Sequence, residues 1–267
     1  TDMKKLLLLL SCILAFHLSV SGQKPMTHEI MIKLKKVGAP KISPNGRFVI
    51  YSRVETSYNL EEQTSDLWIA LTDGSTEPRK LTNTKGGEDN YQWSPTSDRI
   101  YFTAKRDGDE APQLYVLSLA GGEAQRLTNL STGLSDVKFS ADGSRILFSS
   151  RVLPTAFTDS ASKKLAEEKK KIKTKARVYQ SFPVRYWDAW LDEKQGHIFT
   201  MELHSGAQPL NLMKEVSLVQ SPGFRLGSFD FGPDGKSVVF TATTEYHTTA
   251  YQSAKSNIYT LSLFGGK

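Results

Sequence analysis

The sequence predicts an all-β fold, a β-propeller of four-stranded blades with about three complete blades and most of a fourth. Three observations carry this reading. A hairpin pattern recurs as "APKISPNGRFVIYS" at 39–52, "YQWSPTSDRIYFTA" at 91–104, "SDVKFSADGSRILFSS" at 135–150 and "FDFGPDGKSVVFTA" at 229–242. A second hairpin follows each time, in "DLWIALTDGSTEPRKLTN" (66–83), "QLYVLSLAGGEAQRLTN" (113–129), "HIFTMELHSGAQPLNLM" (197–213) and "NIYTLSLFGG" (257–266). The turn positions Pro44, Pro95, Ala141 and Pro233 then lie 51, 46 and 92 residues apart, the last gap being widened by an insertion. Two hairpins repeated every 40–50 residues or so are the mark of a propeller blade. A β-sandwich shares the short strands and glycine turns but would not repeat the pair four times.

Taken in chain order, residues 1–22 read as a secretory signal peptide. Lys4 and Lys5 precede an apolar run from Leu6 to about Val20, and small residues follow before Gln23. The run is short for a membrane span, so no stable membrane insertion is expected. Cys12 faintly resembles a lipoprotein acylation site but is taken as part of the signal. It is the sole cysteine, so the mature chain would have no disulfide, thiol nucleophile or cysteine metal site. An exported protein, periplasmic or at the surface of a bacterium, is expected.

Residues 23–36 form a lead-in, and the partial propeller spans 37–267. Its blades are expected at about 37–83, 88–129, 134–214 with an insert at 151–195, and 226–267. In the third blade Val137 and Phe139 face one way, Asp142-Gly143 makes the turn, and Ile146 and Phe148 point inward on the return. The last copy stops at "LSLFGGK", short of the Leu-Thr-Asn strand that closes the first two, which suggests the N-terminal part of a longer protein.

The net charge of +6 is local. Eight basic and two acidic residues lie between Lys163 and Arg177, which accounts for the entire excess. A nucleic-acid footprint would spread over a binding face with stacking aromatics. This run, rich in Ala, Leu, Glu and Lys, reads as a solvated helix instead, and no nucleic-acid partner is expected.

Catalytic motifs are missing. The stretch nearest to a nucleophile elbow, Gly133-Leu134-Ser135-Asp136, lacks the closing glycine. His28-Glu29 opens like a zinc motif, but Ile32 stands where the second histidine belongs. His197 and His204 would face opposite sides of a strand. No catalytic residue, metal or cofactor is predicted. The candidate ligand contacts are Arg185, Tyr186, Trp187, Asp188 and Trp190 in "RYWDAW", where aromatic walls and charges suit a short peptide. The competing reading has Trp187 and Trp190 plugging the junction between insert and blade. Glu61 and Glu62, in "SYNLEEQTSD", would capture a free amino terminus or simply form a solvated turn.

The signal-like start, "VGAPKISPNGRFVIYSR", "WSPTSDRIYFTAKRDG", "FSADGSRILFSSRV", and the charged insert running into "RYWDAW" together resemble the N-terminal propeller of prolyl-oligopeptidase-family serine peptidases of the dipeptidyl-peptidase V type. The resemblance covers residues 23–267. It implies a C-terminal α/β-hydrolase domain with a Ser-Asp-His triad, absent from this chain, as intramolecular partner. It also implies short peptides as substrates, release of dipeptides from amino termini, and a propeller that gates and orients them; a homodimer of the full-length protein is possible. The alternative is a stand-alone TolB-like propeller that binds a protein partner.

Overall fold

The computed structural model describes residues 25–59, 62–84, 86–153, 155–174, 176, 179, 184–186, 188–190, 194–204, 206–249 and 251–264. The signal-like segment at 1–22 lies outside them. The chain divides into two compact units, one holding residues up to Lys36 together with Glu55–Gln63, the other Val37–Val54 and Thr64–Lys267. In the smaller unit a short helix, α1 (His28–Ile32), is capped by Thr27, whose hydroxyl accepts from the Ile30 amide. His28 Nδ1 meets the Tyr58 hydroxyl at 2.9 Å, and the Thr56 hydroxyl donates to the Ile32 carbonyl.

The larger unit is a row of antiparallel sheets. The first contains β1 (Lys36–Val37), β2 (Lys41–Ile42), β3 (Phe48–Glu55), β4 (Thr64–Leu71) and β5 (Arg79–Lys80), and the second β6 (Glu88–Trp93), β7 (Arg99–Ala104), β8 (Gln113–Ser118) and β9 (Gln125–Arg126). The third begins with β10 (Ser135–Phe139) and β11 (Arg145–Val152). A 13-residue helix, α2 (Asp159–Lys171), and a small hairpin, β12 (Arg185–Tyr186) with β13 (Ala189–Trp190), come before its last two strands, β14 (Gln195–Glu202) and β15 (Leu210–Asn211). The fourth sheet has three strands, β16 (Arg225–Phe231), β17 (Ser237–Thr243) and β18 (Asn257–Ser262).

The core lies between the sheets. Ile50, Leu67, Trp93, Ile100 and Phe102 fill the first interface, Tyr101, Leu114, Val137, Ile146, Phe148 and Phe199 the second, and Leu147, Ile198, Phe229, Val238 and Phe240 the third. Neighbours along one strand therefore serve different interfaces: Ile100 and Phe102 pack back, Tyr101 forward. This is strand alternation with both faces buried, which is why the second strands read as nearly continuous apolar runs.

The first hairpin is the same object in every sheet, and it differs in detail from the two-residue Asp142-Gly143 turn that the sequence suggests. Ser140 donates its amide to the Arg145 carbonyl at 2.9 Å, so four residues loop between them. The Gly143 amide bonds the Ser140 carbonyl at 2.9 Å, and Gly143 takes a positive φ of 69°. Ser43 with Phe48, Ser94 with Arg99 and Gly232 with Ser237 repeat the closure, with Gly46, Ser97 and Gly235 in the left-handed position. Proline suits the next position because its φ matches a type I turn. Asn45, Asp142 and Asp234 each accept the amide two residues on. Hydrogen bonds from Ser140 and Ser144 pull the Asp142 carboxyl down to about 2.

Leu-Thr-Asn also acquires a physical role. The Thr82 hydroxyl accepts from the Leu67 amide and donates to Glu88, and the Thr128 hydroxyl accepts from the Leu114 amide and donates to Gln113. Each threonine thus satisfies a buried backbone donor that the two-residue last strand is too short to reach.

Candidate functional site

The insertion leaves and re-enters the third sheet at one point, because Val152 pairs directly with Gln195. Its start is fastened to the sheet. Asp159, in the first turn of α2, accepts from both the Ser131 amide (2.7 Å) and the Ser131 hydroxyl (2.8 Å). The Asn211 amide reaches the Phe157 carbonyl at 3.3 Å, and Phe157 stacks on His197 at 5.9 Å. Thr158 caps the helix, Ser162 is its one buried residue among those described, and the lysines at 163, 164 and 169–171 are exposed. That is the solvated helix expected of the basic run.

"RYWDAW" folds as the hairpin β12–β13, with Arg185 opposite Trp190 and Tyr186 opposite Ala189. Asp188 occupies its turn and is exposed. The Arg185 guanidinium lies 5.7 Å from the Trp190 ring centroid, and Tyr179 lies 6.2 Å from the same ring. Trp190 is 54% exposed, so it presents an aromatic face to solvent and does not plug the blade. Trp187 lies outside the described residues. Of the second candidate pair, Glu61 also lies outside them. Glu62 belongs to the smaller unit, where its carboxylate accepts from Ser57 (3.1 Å) and Asn59 (3.2 Å), bonds that brace its own loop.

A second constellation went unnoticed in the sequence. The first strands of the second, third and fourth sheets lie beside one another, and β2 of the first sheet meets β6 through side-chain bonds, the arrangement that lines a propeller's channel. Two residues before the Ser or Gly that opens each turn, these strands carry Lys41, Gln92, Lys138 and Asp230. Their buried neighbours Tyr91, Val137 and Phe229 point into the interfaces, so this row faces the opposite way. Lys41 Nζ donates to Gln92 Oε1 at 2.7 Å and lies 5.7 Å from the Tyr91 ring centroid. Partial desolvation of this exposed strand position, and then the nearby Lys138 charge, hold Lys41 below the usual ammonium range. Two further bonds fix the backbone beneath: Tyr91 OH to the Ala39 carbonyl at 2.5 Å and Trp93 Nε1 to the Lys41 carbonyl at 2.8 Å.

A β-bulge sits just before this row in the second, third and fourth sheets. Asn90 and Asp136, at equivalent positions, adopt positive φ of 50° and 52°. Thr103, Ser149 and Thr241, equivalent on the second strands, supply a hydroxyl to the bulge. Bulges of this kind re-aim side chains. The signal was available as the Ser or Thr that follows the apolar run in "FTA" and "FSS".

The model of the TolB β-propeller domain, PD40, matches residues 28–181. The chain belongs to the TolB β-propeller family. Among curated relatives of this TolB-type propeller, the uncharacterized peptidase YuxL of Bacillus subtilis is 26% identical over 82% of this chain and 31% of its own length. The dipeptidyl-peptidase 5 of Porphyromonas endodontalis is 23% identical over 92% of this chain and 35% of its own. The chain thus spans about a third of the length of these relatives. Among solved structures, the acylaminoacyl peptidase of Pyrococcus horikoshii superposes with a TM-score of 0.55 at 11% identity, over 88% of this chain and 33% of that one. An oligogalacturonate lyase from Vibrio parahaemolyticus gives 0.50 at 12% identity, over 85% and 49%. At such identities the structures speak for the fold alone, and a peptidase and a lyase share it.

Proposed function

We propose that this TolB-type propeller is the N-terminal, substrate-admitting part of an exported serine exopeptidase that releases dipeptides from peptide amino termini. The observation that carries the reading is the alignment of 82–92% of the chain with about a third of proteins named as peptidases. An accompanying α/β-hydrolase domain supplies the nucleophile, base and orienting acid. The propeller restricts access to short peptides, and the exposed Arg185–Trp190 face helps to orient them. Residues 1–22 support export by their lysine pair and apolar run.

The test is to read the gene past the codon for Lys267 and assay the whole product on a dipeptidyl 4-nitroanilide. A frame continuing to a G-x-S-x-G segment, with hydrolysis abolished by replacing its serine, supports the proposal. An early stop, or a continuous frame without a nucleophile, leaves the family match favouring the second reading, a propeller that holds a protein partner.

A further inference from the structure

We propose that Lys41, Gln92 and Lys138 form a carboxylate-binding site on the inner strands, which receives the free carboxyl terminus of a short peptide. The inference rests on the peptide-handling reading above only for whose carboxylate it is; the site itself follows from the side chains.

The two ammonium groups occupy the same register position in the first and third sheets, with Gln92 at that position between them. Lys41 is steadied by its 2.7 Å bond to Gln92. Among the described residues neither lysine is ion-paired with a carboxylate. Like charges on neighbouring inner strands without a counter-ion repel, and Lys41 is held below the usual ammonium range by desolvation first and by the Lys138 charge second. An anion between them removes that term and gains charge-assisted hydrogen bonds from both. The Gln92 amide nitrogen, with no protein partner among the described residues, adds a neutral donor. Two ammonium groups and one amide match the two oxygens of a carboxylate.

The nearby acids do not cancel the site. Asp136 is engaged by Ser149 at 2.9 Å, and Asp230 accepts from the Phe231 amide at 2.8 Å. Asp230 instead marks the end of the row, so the inner strands run from positive at the first and third sheets to negative at the fourth.

The experiment is calorimetric titration of the whole gene product, its nucleophilic serine replaced by alanine where one is present, with trialanine, trialanine amide and inorganic phosphate, at low salt. The free acid is expected to bind saturably, and the amide and phosphate at least tenfold more weakly. Lys41→Gln and Lys138→Gln should each weaken the acid at least tenfold with an unchanged circular dichroism spectrum, whereas Asp230→Asn should not weaken it. Equal affinity for acid and amide overturns the site, as does absence of saturable acid binding. Phosphate binding as tight as the acid overturns the assignment to a carboxylate. Should a variant misfold, the acid–amide comparison on the protein with both lysines intact still decides. Because the readout is binding, loss of the site leaves the peptidase proposal standing, and failure of the peptidase proposal leaves this measurement unaffected.

Discussion

The Trp93 indole donates to the backbone carbonyl of Lys41 at 2.8 Å, joining the first strand of the second sheet to that of the first. The ring is nearly buried and packs in the interface with Ile50, Ile100 and Phe102. Trp93→Phe keeps most of the packing and loses the donor, so urea denaturation should show a loss of about 1–2 kcal/mol. Trp93→Ala opens a cavity as well and should cost about 3–5 kcal/mol.

Gly143 and Gly46 occupy the same turn position but different surroundings. A Cβ on Gly143 would stand 2.6 Å from Pro95 Cγ, whereas one on Gly46 meets nothing within 4 Å. Both alanine variants carry the left-handed penalty of roughly 1–2 kcal/mol. Thermal melts should therefore show Gly143→Ala clearly below Gly46→Ala. Equal midpoints would mean that Pro95 yields without cost.

His197 is fully buried, with Nδ1 against the Asn211 amide at 3.1 Å and, among the described residues, no partner for Nε2. Burial pushes it down to about 4 from the ordinary 6.5. A base depressed in the folded state stabilises above its unfolded pKa, and that contribution drains away as pH falls from 6.5 towards 4. The shift corresponds to a loss of up to about 3 kcal/mol. Chemical denaturation across this interval should show the decline, and His197→Phe, which keeps a ring beside Phe157, should flatten it.

Arg185 and Trp190 make a solvent-exposed cation–π pair, worth roughly 0.5–1 kcal/mol at most. Alanine at either position should leave the denaturation midpoint nearly unchanged. In the whole protein, a raised KM at unchanged stability would place the pair on the substrate's path. Loss of folding in both would return the hairpin to a purely structural role.

Much of this architecture was legible because the repeat is written in turn chemistry. Ser-Pro-Asn-Gly and its three variants specify one closure with one left-handed residue, and the alternation of apolar residues follows from it. Some features were harder to see. Ser97 fills a left-handed position without being glycine, and Asn90 and Asp136 do so inside strands, where no turn signal announces them. The Lys41–Gln92–Lys138 row emerges only when the copies are superimposed, since each residue alone reads as an ordinary exposed strand position. In "RYWDAW" the composition pointed to an unusual segment, but whether Trp190 faces core or solvent depends on packing that one hairpin's sequence does not encode.

The direct pairing of Val152 with Gln195 has a consequence for how such chains diversify. The insertion leaves and re-enters the sheet at one doorway, and its start is tied in by buried Leu153, Ala156 and Ser162 and by the Asp159–Ser131 bonds, whereas the lysines further along α2 are exposed. Past Ser162, lengthening or shortening that appendage costs little more than loop-closure entropy, which grows only slowly with length. That outer part is therefore free to follow the demands of a ligand while the anchored start and the stack behind it stay still.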